Sequence, residues 1–217
     1  MKKYHYLIVG SGLFAAIFAY LAKQAGRKCL VIDKLISLEE NVCCELKKSI
    51  SENKCGLELF HTNNKKLWDF VNNIVEFNIN GLVAENVQKA KYQGVPVGGY
   101  NKLIDRLLEG VDTMFGVDFF KERAKWETIA DEIVFTGRID EYFNYVCGKL
   151  EYRIGCNEDI DSSYPVNDER STSLYEHYKT LANAIDNVYF GGPLAEYKHY
   201  DPVSTIEAAM RLWERVR

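Results

Sequence analysis

Hydrophobic and polar positions change period twice within the opening stretch of the chain. Tyr4-His5-Tyr6-Leu7-Ile8-Val9 is a β-branched and aromatic run that predicts a buried strand. Leu13 to Ala25 is apolar at helical spacing, and Gly26 is placed to cap that helix at its C-terminus. Cys29-Leu30-Val31-Ile32 predicts a second strand, ending on Asp33. Farther on, Leu57 to Phe60 reads as a short strand. Asn63 or Asn64 caps a helix running to about Phe77, with Leu67, Phe70, Val71, Ile74 and Val75 on one face. Gln93 to Val97 is extended, and Gly98-Gly99-Tyr100 turns into a helix through Leu108. Val111 to Val117 and Glu132 to Phe135 predict strands, and the aromatic-rich Ile139 to Cys147 predicts a helix. Ser171 to Ala184 predicts a helix with its cap at 171–173, and Val188 to Phe190 a strand ending on Gly191-Gly192-Pro193. Asp201 is placed as N-cap and Pro202 as first residue of a last helix that turns Ile206, Ala209, Met210 and Trp213 inward. Strands alternating with helices predict an α/β, Rossmann-like parallel sheet flanked by helices.

Between the first strand and helix stands Gly10-Ser11-Gly12-Leu13-Phe14-Ala15, the G-x-G-x-x-G/A pattern of dinucleotide-binding folds. Each position has a physical task. Gly10 permits the tight turn, Gly12 lets a pyrophosphate approach the backbone, and the small Ala15 lets the helix lie close on the sheet. The helix N-terminus offers unpaired N–H groups and partial positive charge to phosphate. Asp33 follows Gly12 by about 20 residues, the distance expected of the acid that accepts the ribose hydroxyls.

Composition narrows the partners. A net charge of −4 over 217 residues argues against a nucleic-acid or anionic-membrane surface, and Lys47-Lys48 and Lys65-Lys66 are isolated pairs. Leu13 to Ala22 is too short to span a bilayer, and Met1-Lys2-Lys3 leads directly into a strand, as expected of a cytoplasmic protein. The cysteines at 29, 43, 44, 55, 147 and 156 form no C-x-x-C pair and read as free thiols, with no metal site implied.

The residues also carry a resemblance. Tyr6 to Phe14, Val31 to Lys34, Phe60 to Asn63, Val75 to Asn78, Tyr92 to Tyr100, Thr136 to Asp140, Leu150 to Arg153, Tyr164 to Asp168 and Leu194 to Asp201 together resemble the UDP-galactopyranose mutase family, and fall in its order. The resemblance implies the glutathione-reductase-type FAD fold. It also implies an isomerase interconverting UDP-galactopyranose and UDP-galactofuranose, with reduced FAD as covalent catalyst, for surface polysaccharide such as lipopolysaccharide. By the same resemblance Phe14, Asp33, Lys34, Asn41 and Leu59 lie near FAD, with Leu13 and the Gly10 and Gly12 turn. So do Pro202, Val203, Ser204, Thr205 and Ile206 at the start of the last helix. Arg153 and Tyr164 match contacts to the substrate diphosphate. Catalytic candidates are His61, Arg153, His199 and Asp201. Beside these stand plainer readings: His61 as a packed or surface histidine, Arg153 in an ion pair, His199 as half-buried filler, Asp201 as a helix cap.

The pattern also departs from the family. Residues 79–91 and 154–163 are short connectors where the family carries a helical uridine-binding domain and strands of the substrate sheet, so 1–217 reads as a single dinucleotide-binding domain. Glu39-Glu40-Asn41 stands where the family has Gly-Gly-Asn near the flavin, Glu58 replaces a histidine, and Pro193 replaces an arginine that grips the diphosphate. His199 replaces a tyrosine that contacts the substrate. Two expectations result: an FAD-binding protein related to the mutases that takes a nucleotide or UDP-sugar, or a non-catalytic scaffold that works through oligomerisation or a partner chain.

Overall fold

The computed structural model describes residues 3–37, 59–78, 90–154, 163–166 and 168–217. The strands are β1 (Tyr4–Val9), β2 (Cys29–Ile32), β3 (Phe60–Thr62), β4 (Phe77–Asn78), β5 (Tyr92–Pro96), β6 (Asp112–Met114), β7 (Ala130–Phe135), β8 (Tyr152–Ile154), β9 (Ser163–Pro165) and β10 (Val188–Phe190). The α-helices are α1 (Leu13–Gln24), α2 (Lys65–Asn72), α3 (Gly99–Leu108), α4 (Arg123–Ile129), α5 (Ile139–Tyr142), α6 (Glu169–Ala182) and α7 (Pro202–Val216). A 3-10 turn, Phe119–Glu122, precedes α4.

Five strands form one parallel sheet in the order β10-β7-β1-β2-β6. This is the Rossmann-like arrangement predicted, with β1 central because its side chains are needed on both faces. Tyr6 and Ile8 face a core with α1, α3 and α7, while Tyr4 and Leu7 face a second core with Trp126 of α4 and Phe119. The first core closes on an edge-to-face set of rings, Tyr6, Phe18 and Trp213, which sets α7 against α1. A separate antiparallel sheet, β3-β5-β4, and the β8–β9 hairpin lie outside the parallel sheet.

Several boundaries differ from the sequence pattern, each for a local reason. The helix after Asn64 begins where expected, since Asn64 accepts the Lys66 and Leu67 N–H groups, but it ends at Asn72. There the Asn72 amide oxygen takes the Phe77 N–H at 3.1 Å and turns the chain into β4. The strand expected over 57–60 is Phe60–Thr62, and Leu57 and Glu58 lie outside the described residues. The strand expected over 111–117 shortens to Asp112–Met114, exposed and paired among the described residues only with β2. The helix expected over 139–147 makes one turn. The Arg123 guanidinium takes the Tyr142 carbonyl at 3.0 Å, and Asn144 and Tyr145 adopt positive φ of 50° and 57°. The helix expected from Ser171 begins at Glu169, because Asp168 is the cap and accepts the Ser171 N–H at 2.6 Å.

The β8–β9 hairpin is tied to the segment after β10 by one side chain. The buried Tyr197 hydroxyl lies 2.9 Å from the Val166 carbonyl, accepts the Val166 N–H at 3.2 Å, and also reaches the Glu151 carbonyl. Tyr197 itself sits at φ 47°, so the chain accepts strain to place this ring. Tyr197→Phe should destabilise the protein by about 1 kcal/mol in urea unfolding and speed amide exchange at Val166, because the hydroxyl bonds to the Val166 and Glu151 backbone are lost and the Val166 N–H keeps only the Glu151 carbonyl, at 3.1 Å. Unchanged stability and exchange would contradict this role.

Candidate functional site

Ligands of open parallel sheets sit beyond the carboxyl ends of the strands where the order reverses. Here that point lies between β1 and β7, and the chain leaving β1 is closely held there. The Gly10 N–H donates to the Ile32 carbonyl of β2 at 2.8 Å. On the other side, the Thr136 N–H and hydroxyl both donate to the Val9 carbonyl, at 3.0 and 2.8 Å. Gly10 has φ 106°, and a Cβ there would collide with Thr136 Oγ1. Glycine is therefore required by the fold at this position.

Gly12 is a different case. It is the N-cap of α1 with φ −67°, a conformation open to any residue, and an added Cβ would meet nothing within 4 Å. No side chain caps α1, and its first turn carries no acid. By contrast α2, α6 and α7 are capped by Asn64, Asp168 and Asp201. Among the described residues, then, no side-chain cap takes up the donors and partial positive charge of the α1 N-terminus, as is also the case for α3. Ala15 is fully buried in the first core, as close packing of α1 demands.

Asp33 stands at the end of β2, 8% exposed. Its Oδ2 accepts the Ser11 N–H and the Ser11 hydroxyl, both at 2.7 Å, and its Oδ1 accepts the Leu35 N–H at 2.9 Å. Lys34 beside it is exposed. Burial raises the Glu141 carboxyl above its ordinary value, and Lys34 and Arg138 partly offset this. Arg138 also stacks over the Tyr152 ring at 4.6 Å. The Tyr152 hydroxyl bonds the buried Asp140, and burial raises it well above the ordinary phenol range.

The remaining sequence candidates divide by place. Leu13 begins α1, half-buried beside Gly12. Phe14 is buried, and its ring fills the space that side chains at Gly191 and Gly192 would need, so only its backbone faces the turn. Asn41 lies outside the described residues, as do residues 79–89 and 155–162 of the two connectors. Leu59 and His61 are half-buried, and the His61 Nδ1 lies 3.0 Å from the Leu59 carbonyl, so the ring carries a proton there. His61 lies on strand β3 and Leu59 just before it, and β3 packs against α7. At that helix start Pro202, Thr205 and Ile206 are buried, and Val203 and Ser204 are half-buried. Asp201 accepts the Ser204 N–H at 2.6 Å, the cap that the pattern indicates. Arg153 and Tyr164 are direct register partners of the β8–β9 ladder. His199 is exposed rather than half-buried, because Tyr197 turns inward and carries the following residues outward.

Sequence reasoning missed Ser11, Thr136 and Glu196. Glu196 accepts the Gly192 N–H at 3.1 Å and the Tyr200 hydroxyl at 3.2 Å, and with burial helps push that phenol up to about 12. A hydroxyl between two glycines and a threonine just past a strand were the signals available. Among the described residues no cluster of three His, Cys, Asp or Glu side chains forms a metal site, and no helix is long and apolar enough to cross a membrane.

A family model described as UDP-galactopyranose mutase matches residues 58–155 and 154–199, and one for the NAD(P)-binding Rossmann-like domain matches residues 8–74. The chain belongs to the UDP-galactopyranose mutase family. A relative named UDP-galactopyranose mutase, from Mycoplasma pneumoniae, is 26% identical over an alignment covering 52% of this chain and 45% of that protein. The chain therefore spans about half the length of the curated relative it matches. Among solved structures, THI4 of Thermovibrio ammonificans has TM-score 0.55 at 10% identity, covering 98% of this chain and 88% of that one. A geranylgeranyl bacteriochlorophyll reductase-like protein of Thermoplasma acidophilum has TM-score 0.50 at 13% identity, covering 99% and 78%. These two share the fold.

The two glycines should separate cleanly by substitution. Gly10→Ala should cost more than about 2 kcal/mol, from positive φ and the Thr136 clash. Gly12→Ala should cost at most about 1 kcal/mol, the difference between these residues at an N-cap. Denaturant unfolding of both variants checks this, and equal losses would contradict it.

Proposed function

We propose that this mutase-family chain is a flavoprotein that binds FAD at the α1 N-terminus, with weak activity on UDP-sugars. The observation that carries the reading is Gly12: neither its backbone conformation nor any neighbour needs a glycine, and the space beside it adjoins uncapped helix donors. A pyrophosphate fits that space and those donors. Gly12, Leu13 and the Phe14 backbone would hold it, and Asp33 would take the ribose of the adenosine half. When bound and reduced, FAD supplies a nucleophile for the anomeric carbon of a UDP-sugar. The chain's own part is to fix the flavin and orient the sugar phosphates. Arg153 and Tyr164, paired across β8 and β9, are the residues assigned to the diphosphate. Lys34 and Lys198 add exposed positive charge.

Pro193 supports a second reading, a non-catalytic scaffold in surface-polysaccharide synthesis. It stands after Gly191-Gly192, where the family's arginine would meet the diphosphate, and offers neither charge nor donor.

Purified protein titrated with FAD should take up one flavin, released on denaturation, and Gly12→Ala should weaken binding about tenfold or more by filling the phosphate space. With dithionite and UDP-galactofuranose, turnover should be slow, and Pro193→Arg should raise it about tenfold, the worth of one charge-assisted contact. A chain that binds no flavin belongs to the scaffold reading. So does one whose flavin never turns over a UDP-sugar, even after the Pro193→Arg substitution restores the family's charge.

A further inference from the structure

The carboxylate of Asp33 is more fully engaged within the chain than a ribose-binding acid needs to be. A carboxylate has about four lone-pair positions. The Ser11 N–H and hydroxyl take both positions on Oδ2, each at 2.7 Å, and the Leu35 N–H takes one on Oδ1 at 2.9 Å. Ser11 is fully buried and Asp33 nearly so, so water does not compete for these bonds. The three donors come from the β1–α1 turn and from the chain just past β2, and they fix both the plane and the rotation of the carboxyl group. Among the described residues, one acceptor position remains, on Oδ1.

We infer that Ser11 is a positioning residue for nucleotide recognition: it clamps Oδ2 so that Asp33 offers one acceptor, on Oδ1, to a single hydroxyl of the adenosine ribose. This inference rests on the dinucleotide reading above and adds its specificity. With the backbone donors alone, Oδ2 would keep an acceptor position beside the Ser11 N–H, as Oδ1 does beside the Leu35 N–H, and the carboxylate could accept both ribose hydroxyls. The Ser11 hydroxyl fills that second position on Oδ2. Recognition of a second hydroxyl is given up, and the remaining bond is made by a group already in place, with less ordering cost on binding. Serine suits the task. Its hydroxyl reaches the same oxygen that its own N–H reaches, and at zero exposure a larger side chain would not fit between Gly10 and Gly12.

The test is calorimetric titration of wild type, Ser11→Ala, Asp33→Ala and the double variant with ADP, 2′-deoxy-ADP and 3′-deoxy-ADP, with circular dichroism to establish folding. Wild type should lose about tenfold in affinity for one deoxynucleotide and little for the other. Ser11→Ala should weaken ADP by about the same factor and leave the nucleotide lacking the recognised hydroxyl unchanged. In the Asp33→Ala background, Ser11→Ala should have no further effect. The inference is overturned if Ser11→Ala weakens all three nucleotides equally, as a merely structural role would, or weakens none. It is also overturned if wild type loses equally with both deoxynucleotides, a result that needs no variant to fold. Absence of any nucleotide binding by wild type would remove the dinucleotide reading itself. ADP binding with either of the other failures would remove only the clamp.

Discussion

The turn at Gly10 is the constraint on which the rest depends. The chain must leave the central strand in a left-handed conformation, with the Ile32 carbonyl on one side and the Thr136 hydroxyl on the other. Only a residue without a side chain passes there. Because it passes, Ser11 is set against Asp33, Gly12 opens toward solvent, and α1 starts with its donors pointing out of the sheet's carboxyl edge. The aromatic set of Tyr6, Phe18 and Trp213 then holds α1 and α7 in register with that start. The turn thus links core packing to the exposed chemistry in a single residue.

In the proposed reading, the two halves of the site differ in kind. The nucleotide half would rest on strand ends and a helix terminus, with the recognising backbone groups fixed by the sheet. The sugar half rests on a short hairpin, β8–β9, held to the segment after β10 through the Tyr197 hydroxyl. Its charge is thinner, because proline replaces arginine at 193 and the carboxylate of Glu196 occupies the Gly192 N–H. An anionic diphosphate meets fewer donors there. On the proposed reading, the adenosine half should therefore bind more strongly than the sugar half.

Much of the parallel sheet was legible because its strands are short apolar runs and the glycine pattern marks the first crossover. β1, β2, α1 and α7 fall where periodicity and caps put them. What was not legible depended on contacts remote in sequence. The helix after Ile139 stops because Arg123 takes the Tyr142 carbonyl, and no local pattern contains that bond. The cap of α6 lies ahead of the position the pattern indicates because Ser171 looks like a cap, while Asp168 is the stronger acceptor. At the site, the glycines and Asp33 were legible from spacing. The use of Ser11 to occupy one oxygen of that acid was not, since it is a matter of distance between two loops.

The central claim is that the α1 N-terminus and the end of β2 form a cradle for an adenine nucleotide. Amide chemical-shift mapping of the labelled protein with ADP tests it most directly. The account predicts saturable shifts concentrated at Ser11, Gly12, Leu13, Phe14 and Leu35, with the β3–β5–β4 sheet unmoved. Saturating ADP that leaves these amides in place, or that shifts a different surface, would contradict it.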